Sequence, residues 1–81
     1  MEPYIGQIQL FAFTRYAPEG WLPCNGAELQ INQNNALFSL LGTTFGGDGK
    51  TNFGLPDLVG KEPIPGTAYC ICVMGQYPTP S

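Results

Sequence analysis

The sequence contains no histidine and few charged residues. Charged side chains make up 11% of its 81 residues, whereas about a quarter is usual in a soluble domain. Only Arg15, Lys50 and Lys61 are basic, so the chain lacks the cationic surface that a nucleic acid or an anionic membrane would require. So little charge cannot surround the apolar residues of a soluble monomer. We therefore expect no nucleic acid partner, and we expect part of the surface to face other protein.

Signals for secretion and membrane insertion are also missing. The N-terminal residues show no basic segment followed by an apolar run and a cleavage site. The longest apolar-rich stretch, residues 69–74, is far too short to span a bilayer. The sequence therefore predicts neither a cleaved signal peptide nor a membrane span.

The cysteines do not form a metal-binding pattern. Cys24, Cys70 and Cys72 lack paired zinc-ligand spacing, and there is no histidine to add a ligand. An odd number of cysteines means that at least one thiol is free or bonds to another chain. Cys70 and Cys72 would lie on one face of a strand about 6.5–7 Å apart, which disfavours a bond between them. We predict no metal or cofactor, while interchain disulfides and reduced thiols both remain open.

A chain of this length is expected to form one domain, residues 1–81, with a small core. Such a core supplies roughly 3–5 kcal/mol, so natural domains of this size add disulfides, a metal or oligomerisation. Because zinc ligands are missing, we expect association between copies to supply additional stability.

The pattern of apolar residues predicts an α+β fold, with a small antiparallel sheet or set of ribbons. Alternation predicts strands at residues 4–13 and 68–74, and a short extended piece at residues 51–55. The pair Asn25-Gly26 lies between two short apolar runs and predicts a hairpin, because both central residues of a type I′ turn need positive φ. The proline-containing tail, residues 76–81, cannot continue the last strand.

One short helix is predicted at residues 33–41, between a cap at Asn32 and a terminating Gly42. Its apolar residues recur at helical spacing and should pack on the sheet. The predicted core consists of Ile8, Leu10, Trp21, Leu37, Phe38, Leu40 and Leu41.

The last strand is the predicted assembly element. Residues 68–74 carry no charge, and apolar side chains point to both faces. One face can pack on the core of the same domain, whereas the other requires a second layer, most simply a neighbouring subunit. The predicted assembly surface comprises Tyr69, Cys70, Ile71, Cys72, Val73 and Met74.

No arrangement of residues indicates catalysis, so the chain is predicted not to be an enzyme. Cys24 has no histidine to act as its base. The carboxylates are scattered over loops and termini without the spacing of an acid and base pair. Asp48 and Asp57 are interpreted as structural loop residues.

The loop around Asp48 ends in Gly-Lys-Thr, as a phosphate-binding loop does. The first glycine of that motif would fall at Thr44, and a helix precedes the loop where a strand is required. We therefore interpret Asp48 as bonding to nearby backbone N–H groups. A hard cation bound through Asp48 and Asn52 is the alternative.

Trp21, Tyr16 and Phe45 could form an aromatic surface for carbohydrate. Trp21 is more simply interpreted as an anchor of the core.

Four segments carry a resemblance to a known family. They read YIGQIQLFA (4–12), APEGWLPCNG (17–26), NQNNALFSLLGTTFGGDGKT (32–51) and FGLPDLVGK (53–61). In order and spacing they resemble the phage tail-collar family over about three quarters of the chain.

The resemblance implies a collar-like domain of tail fibres, or of the related proteins called microcystin-dependent, which are commonly trimeric or fibre-associated. It implies no reaction. Two departures are notable: Val59 stands where members often carry Arg, and the long Gly- and Ser-rich region that many have after Pro-Asp-Leu is absent. The chain resembles a minimal member without the insert that would carry receptor recognition.

The expected function is self-assembly as a collar-like trimer or fibre, virion-associated or extracellular, with other tail or appendage proteins as further partners. A subunit of a bacterial extracellular filament and a glycan- or receptor-binding adhesion module are the alternatives.

Overall fold

The computed structural model describes residues 2–79, so Pro80 and Ser81 of the predicted tail lie outside the described residues. Its elements in chain order are β1 (Ile8–Phe11), β2 (Trp21–Pro23), β3 (Glu28–Gln30), a 3₁₀ turn (Ile31–Gln33), α1 (Asn35–Leu41), β4 (Asn52–Gly54) and β5 (Ala68–Cys72). One sheet has the order β1-β5-β2, the second pairs β3 with β4, and every strand pair is antiparallel. The α+β prediction is confirmed.

Strand β5 is the centre of the larger sheet. Ile71 lies between Ile8 on one side and Leu22 on the other, and Cys70 lies between Gln9 and Pro23. Directly opposed residues share a face, so Ile8, Leu22 and Ile71 point to the same side. That side is the core, because Ile71 is buried in it and Leu22 packs against it.

A turn and a bulge fix the start of β1 to the end of β5. Gly6 has φ +89°, and the N–H of Gln7 donates to the carbonyl of Tyr4 at 3.0 Å, which closes the turn. The N–H of Gly6 donates to the carbonyl of Cys72, and the N–H of Cys72 donates to the carbonyl of Gln7, both at 2.9 Å. Gly6 and Gln7 therefore oppose the single residue Cys72, as in a bulge that needs glycine at its first position.

The core lies between the larger sheet, the smaller sheet and α1. Its buried residues are Cys24, Leu37, Phe53, Leu55 and Ile71. The rings of Phe38 and Phe53 lie 5.4 Å apart, which joins the helix to β4. Leu41 also packs against this cluster, so Leu37, Phe38 and Leu41 mark the inner face of the helix.

The predicted core is wrong at four of its seven positions, because Ile8, Leu10, Trp21 and Leu40 neither belong to the buried cluster nor pack against it. Leu40 is 38% exposed and Ile8 is 42% exposed. Leu40 lies at the boundary of the buried helix face, which Leu37 and Leu41 occupy at a spacing of four. Ile8 points to the core side but belongs to the outermost strand, where the core ends. Leu10 and Trp21 are half-buried and lie outside the buried cluster.

The predicted hairpin at Asn25-Gly26 is absent. β2 pairs with β5 and β3 pairs with β4, so β2 and β3 belong to different sheets. Asn25 does not have the positive φ that a type I′ turn needs, since all positive φ values among the described residues belong to glycines. The Asn25 side chain instead accepts from the N–H of Ala27 at 3.1 Å. The pair makes a local turn in a crossover between sheets.

The helix is shorter than predicted. Its N-cap residue is Asn34 rather than Asn32, and this cap makes no side-chain hydrogen bond to the helix. The residues before it form the 3₁₀ turn. Gly42 ends α1 with φ +57°, and its N–H donates to the carbonyl of Phe38 at 2.8 Å. No helix within residues 2–79 is long and apolar enough to cross a membrane.

Two leucines of α1 test the position of the core. Leu37→Ala should lower the free energy of unfolding by about 2–5 kcal/mol, because Leu37 is 1% exposed and its loss leaves a cavity. Leu40→Ala, on the same helix, should lower it by less than about 1 kcal/mol. Urea denaturation of both variants measures the difference. Equal losses would mean that the helix is rotated about its axis.

Candidate functional site

The predicted assembly strand is buried within its own chain. Cys70, Ile71 and Cys72 are all at most 3% exposed. Tyr69 and Val73 are half-buried against the core, and Met74, which follows β5, is 70% exposed. The prediction that a neighbouring subunit covers β5 is therefore wrong for its buried residues. Strands β1 and β2 pair with both edges of β5, and other parts of the same chain cover its faces.

The second layer over β5 comes from aromatic rings and from the N-terminal segment. Phe11 and Trp21 share the face of Cys70, flank β5 on opposite sides and contact each other edge to face at 5.1 Å. Near Cys72, the chain turns back and pairs with the N-terminal segment, where the N–H of Ile5 donates to the carbonyl of Gln76 at 2.8 Å. A side chain at Gly75 would meet the Cys72 sulfur at 3.0 Å.

The cysteines lie in positions that make thiols unreactive. All three are free and buried. Burial, with a smaller contribution from the nearby Cys70, raises the pKa of the Cys24 thiol to about 11. Burial also raises the pKa of the Cys70 thiol. A reactive cysteine needs a lowered pKa and access to solvent, so these groups have the properties of small apolar core residues.

Asp48 organises the glycine-rich loop between α1 and β4. Its Oδ1 accepts from the N–H groups of Lys50 at 2.8 Å, Thr51 at 2.9 Å and Asn52 at 3.2 Å. Its Oδ2 accepts from the Thr51 hydroxyl at 3.1 Å. The Asn52 side chain accepts from the N–H of Asp48 at 2.8 Å, so the loop is bonded in both directions. The backbone donors hold the pKa of Asp48 well below its usual range.

The loop shows no gathering of metal ligands. Both carboxylate oxygens of Asp48 and the amide oxygen of Asn52 accept bonds from the loop itself. Within residues 2–79 no three His, Cys, Asp or Glu side chains come together. A groove of about 470 Å³ next to the loop is lined by Gln30, Ile31, Asn32, Lys50, Thr51 and Asn52.

Asp57 joins two sequence motifs. It forms an isolated bridge with Asn25, and its side chain accepts from the N–H of Val59 at 3.2 Å. On either side, the N–H of Gly26 donates to Pro56 at 3.2 Å and the N–H of Leu58 donates to Cys24 at 2.8 Å. The Cys-Asn-Gly and Pro-Asp-Leu segments therefore form one backbone-bonded unit. Asp57 and Asp48 each accept hydrogen bonds within their own loop.

A row of aromatic rings lies on the face of the sheet away from the core. Phe11 contacts Trp21 at 5.1 Å and Phe13 at 5.5 Å, and Phe13 contacts Tyr16 at 5.8 Å. Phe45 belongs to the loop that approaches β4, so the predicted grouping of Trp21, Tyr16 and Phe45 holds only for the first two. Sequence reasoning missed Phe11 and Phe13, although their alternation with Ala12 was the available signal.

A groove of about 370 Å³ borders this row. It is lined by Glu2, Pro3, Tyr4, Gln7, Gln9, Phe11, Pro18 and Trp21. The Gln7 side chain donates to that of Gln9 at 3.2 Å and accepts from the N–H of Tyr4 at 3.1 Å.

Large apolar side chains are exposed over much of the remaining surface. The set comprises Tyr4, Ile8, Phe13, Tyr16, Leu40, Phe45, Val59, Ile64, Met74 and Tyr77. Two of them are associated with α1: Leu40 belongs to the helix, and the Tyr77 hydroxyl bonds to Ser39 at 2.7 Å.

Comparison with known families matches residues 6–63 to the phage tail collar domain, more than two thirds of the chain. The chain belongs to the phage tail collar domain family. The resemblance of the four sequence segments is thereby confirmed. Comparisons with curated proteins and with solved structures found no match.

The matched residues contain most of the secondary structure elements. They include β1 to β4, α1 and the Asp48 loop, and they end before β5. Members of the family are structural domains of phage tails. Membership therefore associates this collar domain with a tail fibre and with the virion.

The Asp48 loop should be insensitive to pH until strongly acidic conditions. Because the folded pKa is lowered, the stabilisation is complete above the unfolded pKa of about 4 and is lost as the pH falls through the folded value. We expect the amide NMR shifts of Lys50 and Thr51 to stay constant from about pH 7 to 4, and to change only below that range. In Asp48→Asn this transition should be absent. A midpoint near pH 4 in the wild type would contradict the bonded geometry.

The thiols should resist alkylation in the folded protein. At about pH 8, iodoacetamide should modify Cys24, Cys70 and Cys72 far more slowly than it modifies the same chain in urea, because the folded thiols are buried. Mass spectrometry over time measures the rates. Rapid labelling of Cys70 or Cys72 without denaturant would show that the face covered by Phe11 and Trp21 opens to solvent.

Proposed function

We propose that this collar domain is a non-enzymatic structural subunit that assembles with copies of itself into a closed oligomer, such as a trimer, or into a fibre. The observation that carries the proposal is the combination of ten large apolar side chains exposed among residues 2–79 with only nine charged residues in the whole sequence, six acidic and three basic. The exposed rings of Phe13 and Tyr16 contact each other at 5.8 Å, and contiguous exposed apolar surface marks interaction sites. Membership of a tail-associated structural family supports the same role.

The size of the domain supports this proposal independently. The described core has five apolar side chains in its buried cluster, and a core of this kind gives little stability by itself. Association that covers Leu40, Tyr77 or Phe45 would add stability through buried apolar area. The setting that fits is a tail fibre on a virion, with other tail proteins as further partners. A repeating subunit of a bacterial extracellular filament uses the same surfaces and differs in symmetry.

A second candidate function is glycan binding in the groove beside the aromatic row. Its lining combines the rings of Tyr4, Phe11 and Trp21 with the side-chain amides of Gln7 and Gln9. Aromatic rings and a few placed polar groups are typical of sites for small polar ligands. The lining contains no cation, which favours a neutral glycan over an anionic one. Loss of binding on a glycan array in Tyr4→Ala, with Tyr77→Ala as the exposed-tyrosine control, would support this candidate.

Self-association is tested by sedimentation velocity over a range of concentrations. We expect the average mass to rise above the 8.7 kDa of one chain at micromolar concentration, and to rise further with added salt, which screens the net charge of −3 on each copy. Negative-stain microscopy would separate closed oligomers from fibres. A folded species that keeps the mass of one chain at every concentration would overturn the proposal.

A further inference from the structure

The larger sheet has one open edge, along β1. The carbonyl of Gln7 accepts from Cys72, and inter-strand bonds alternate along an antiparallel pair. Gln9 and Phe11 therefore bond to β5, while the N–H and C=O groups of Ile8 and Leu10 point away from it. No other strand within residues 2–79 pairs with β1. These four backbone groups are available for another strand.

The opposite edge of the same sheet, along β2, is blocked. The N–H of Cys24 donates to Tyr69, and the N–H of Val73 donates to Gly20, so Trp21 and Pro23 face outward. The N–H of Trp21 already donates to the carbonyl of Pro18 at 3.0 Å. Pro23 has no N–H group. This edge offers no free donor to a neighbouring strand.

The smaller sheet is less suited to pairing than β1. The outer edge of β4 is occupied by the glycine loop, because Gly54 donates to Gly46 at 2.9 Å and Gly49 donates to Asn52 at 3.0 Å. Strand β3 carries the charged Glu28. β1 reads Ile-Gln-Leu-Phe, without charge or proline. Natural proteins protect edge strands with lysine, proline or cover, and also with bulges and short length. β1 is four residues long and follows a bulge, but it carries no lysine or proline.

We propose that β1 pairs antiparallel with β1 of a second copy, which joins two larger sheets across a two-fold axis. This inference rests on the proposed self-assembly and names one of its contact surfaces. The two-fold contact alone closes a dimer, and a trimer or a fibre needs a second contact elsewhere on the chain. The partner is a second β1 because β5 is paired on both sides, β2 and β4 have occupied edges, β3 carries the charged Glu28, and the tail after β5 contains proline. Strand addition of this kind is a common mode of recognition.

The open backbone groups determine the register. Four hydrogen bonds form only when Ile8 of each copy opposes Leu10 of the other copy, because these residues carry the outward groups. Gln9 then opposes Gln9 of the second copy in a pair whose Cα atoms are about 4.5 Å apart. Ile8, which is 42% exposed in one chain, lies beside Leu10 of the second copy and becomes covered.

The self-opposed position of Gln9 gives a specific test. In Gln9→Lys and in Gln9→Glu, two like charges oppose each other, so self-association should weaken by about two- to fivefold in each variant alone. In an equimolar mixture the charges are opposite, and association should return at least to the wild-type level. Ile8→Pro removes two of the four bonds without touching the pairing with β5, so its association should weaken by about tenfold. Sedimentation equilibrium measures all of these affinities.

Matched controls separate this contact from general effects of charge and folding. Gln30→Lys and Gln30→Glu place the same charges on β3, where Gln30 is exposed as Gln9 is, and should change self-association little, mixed or alone. Near-ultraviolet circular dichroism, which reports on Trp21, should show that every variant remains folded. The β1 contact would be overturned if the wild type associates but the charges at Gln9 and at Gln30 change its association equally. It would also be overturned if the mixture of Gln9→Lys and Gln9→Glu does not restore association. Either outcome would leave the proposed function standing. A wild type that never associates would overturn both.

Discussion

The fold depends on the insertion of β5 between β1 and β2. Residues 8–11 and residues 68–72 are far apart in sequence, yet each of the four residues of β1 has a partner on β5. The bulge at Gly6 extends this contact to Cys72, and the bond from the N–H of Ile5 to the carbonyl of Gln76 continues it beyond Cys72. Without β5, Ile71 would leave the buried cluster and the face of Phe11 and Trp21 would have no strand beneath it. Such distant pairings are costly to form, so the sheet should be completed late in folding.

A second constraint is the close approach of the glycine loop to Phe53. A side chain at Gly47 would collide with the backbone of Phe53, and one at Gly54 would collide with the carbonyl of Phe45. Glycine is therefore required at both places for the loop to cover β4. The bonds of Asp48 hold the loop in this position, and Phe53 is fully buried beneath it. The polar loop and the apolar core thus depend on each other.

The sequence was most informative where the structure is local. The helical spacing of Leu37 and Leu41 predicted α1. The glycines around Asp48 indicated a carboxylate that bonds to nearby backbone N–H groups, and the structure has three such bonds. The hairpin prediction was wrong because the pair Asn25-Gly26 is compatible with several types of turn. The pairing of Asn25 with the distant Asp57 determines which turn forms. The cover of β5 failed for a related reason. Composition shows that a strand needs two covered faces but does not show which chain supplies the cover.

The connector between Leu58 and β5 has a consequence for how the domain can vary. Its residues are bonded mostly to each other, as when Lys61 donates to Leu58 at 3.0 Å and the Gly60 N–H donates to Glu62 at 3.1 Å, and Val59 and Ile64 are exposed. Gly60 and Gly66 have open space around them. The entropic cost of closing a loop rises only by about 0.6 kcal/mol for each doubling of its length. Long segments or whole domains could therefore be inserted in this connector while β5 still pairs between β1 and β2. The same small sheet could then support inserted domains of different structure.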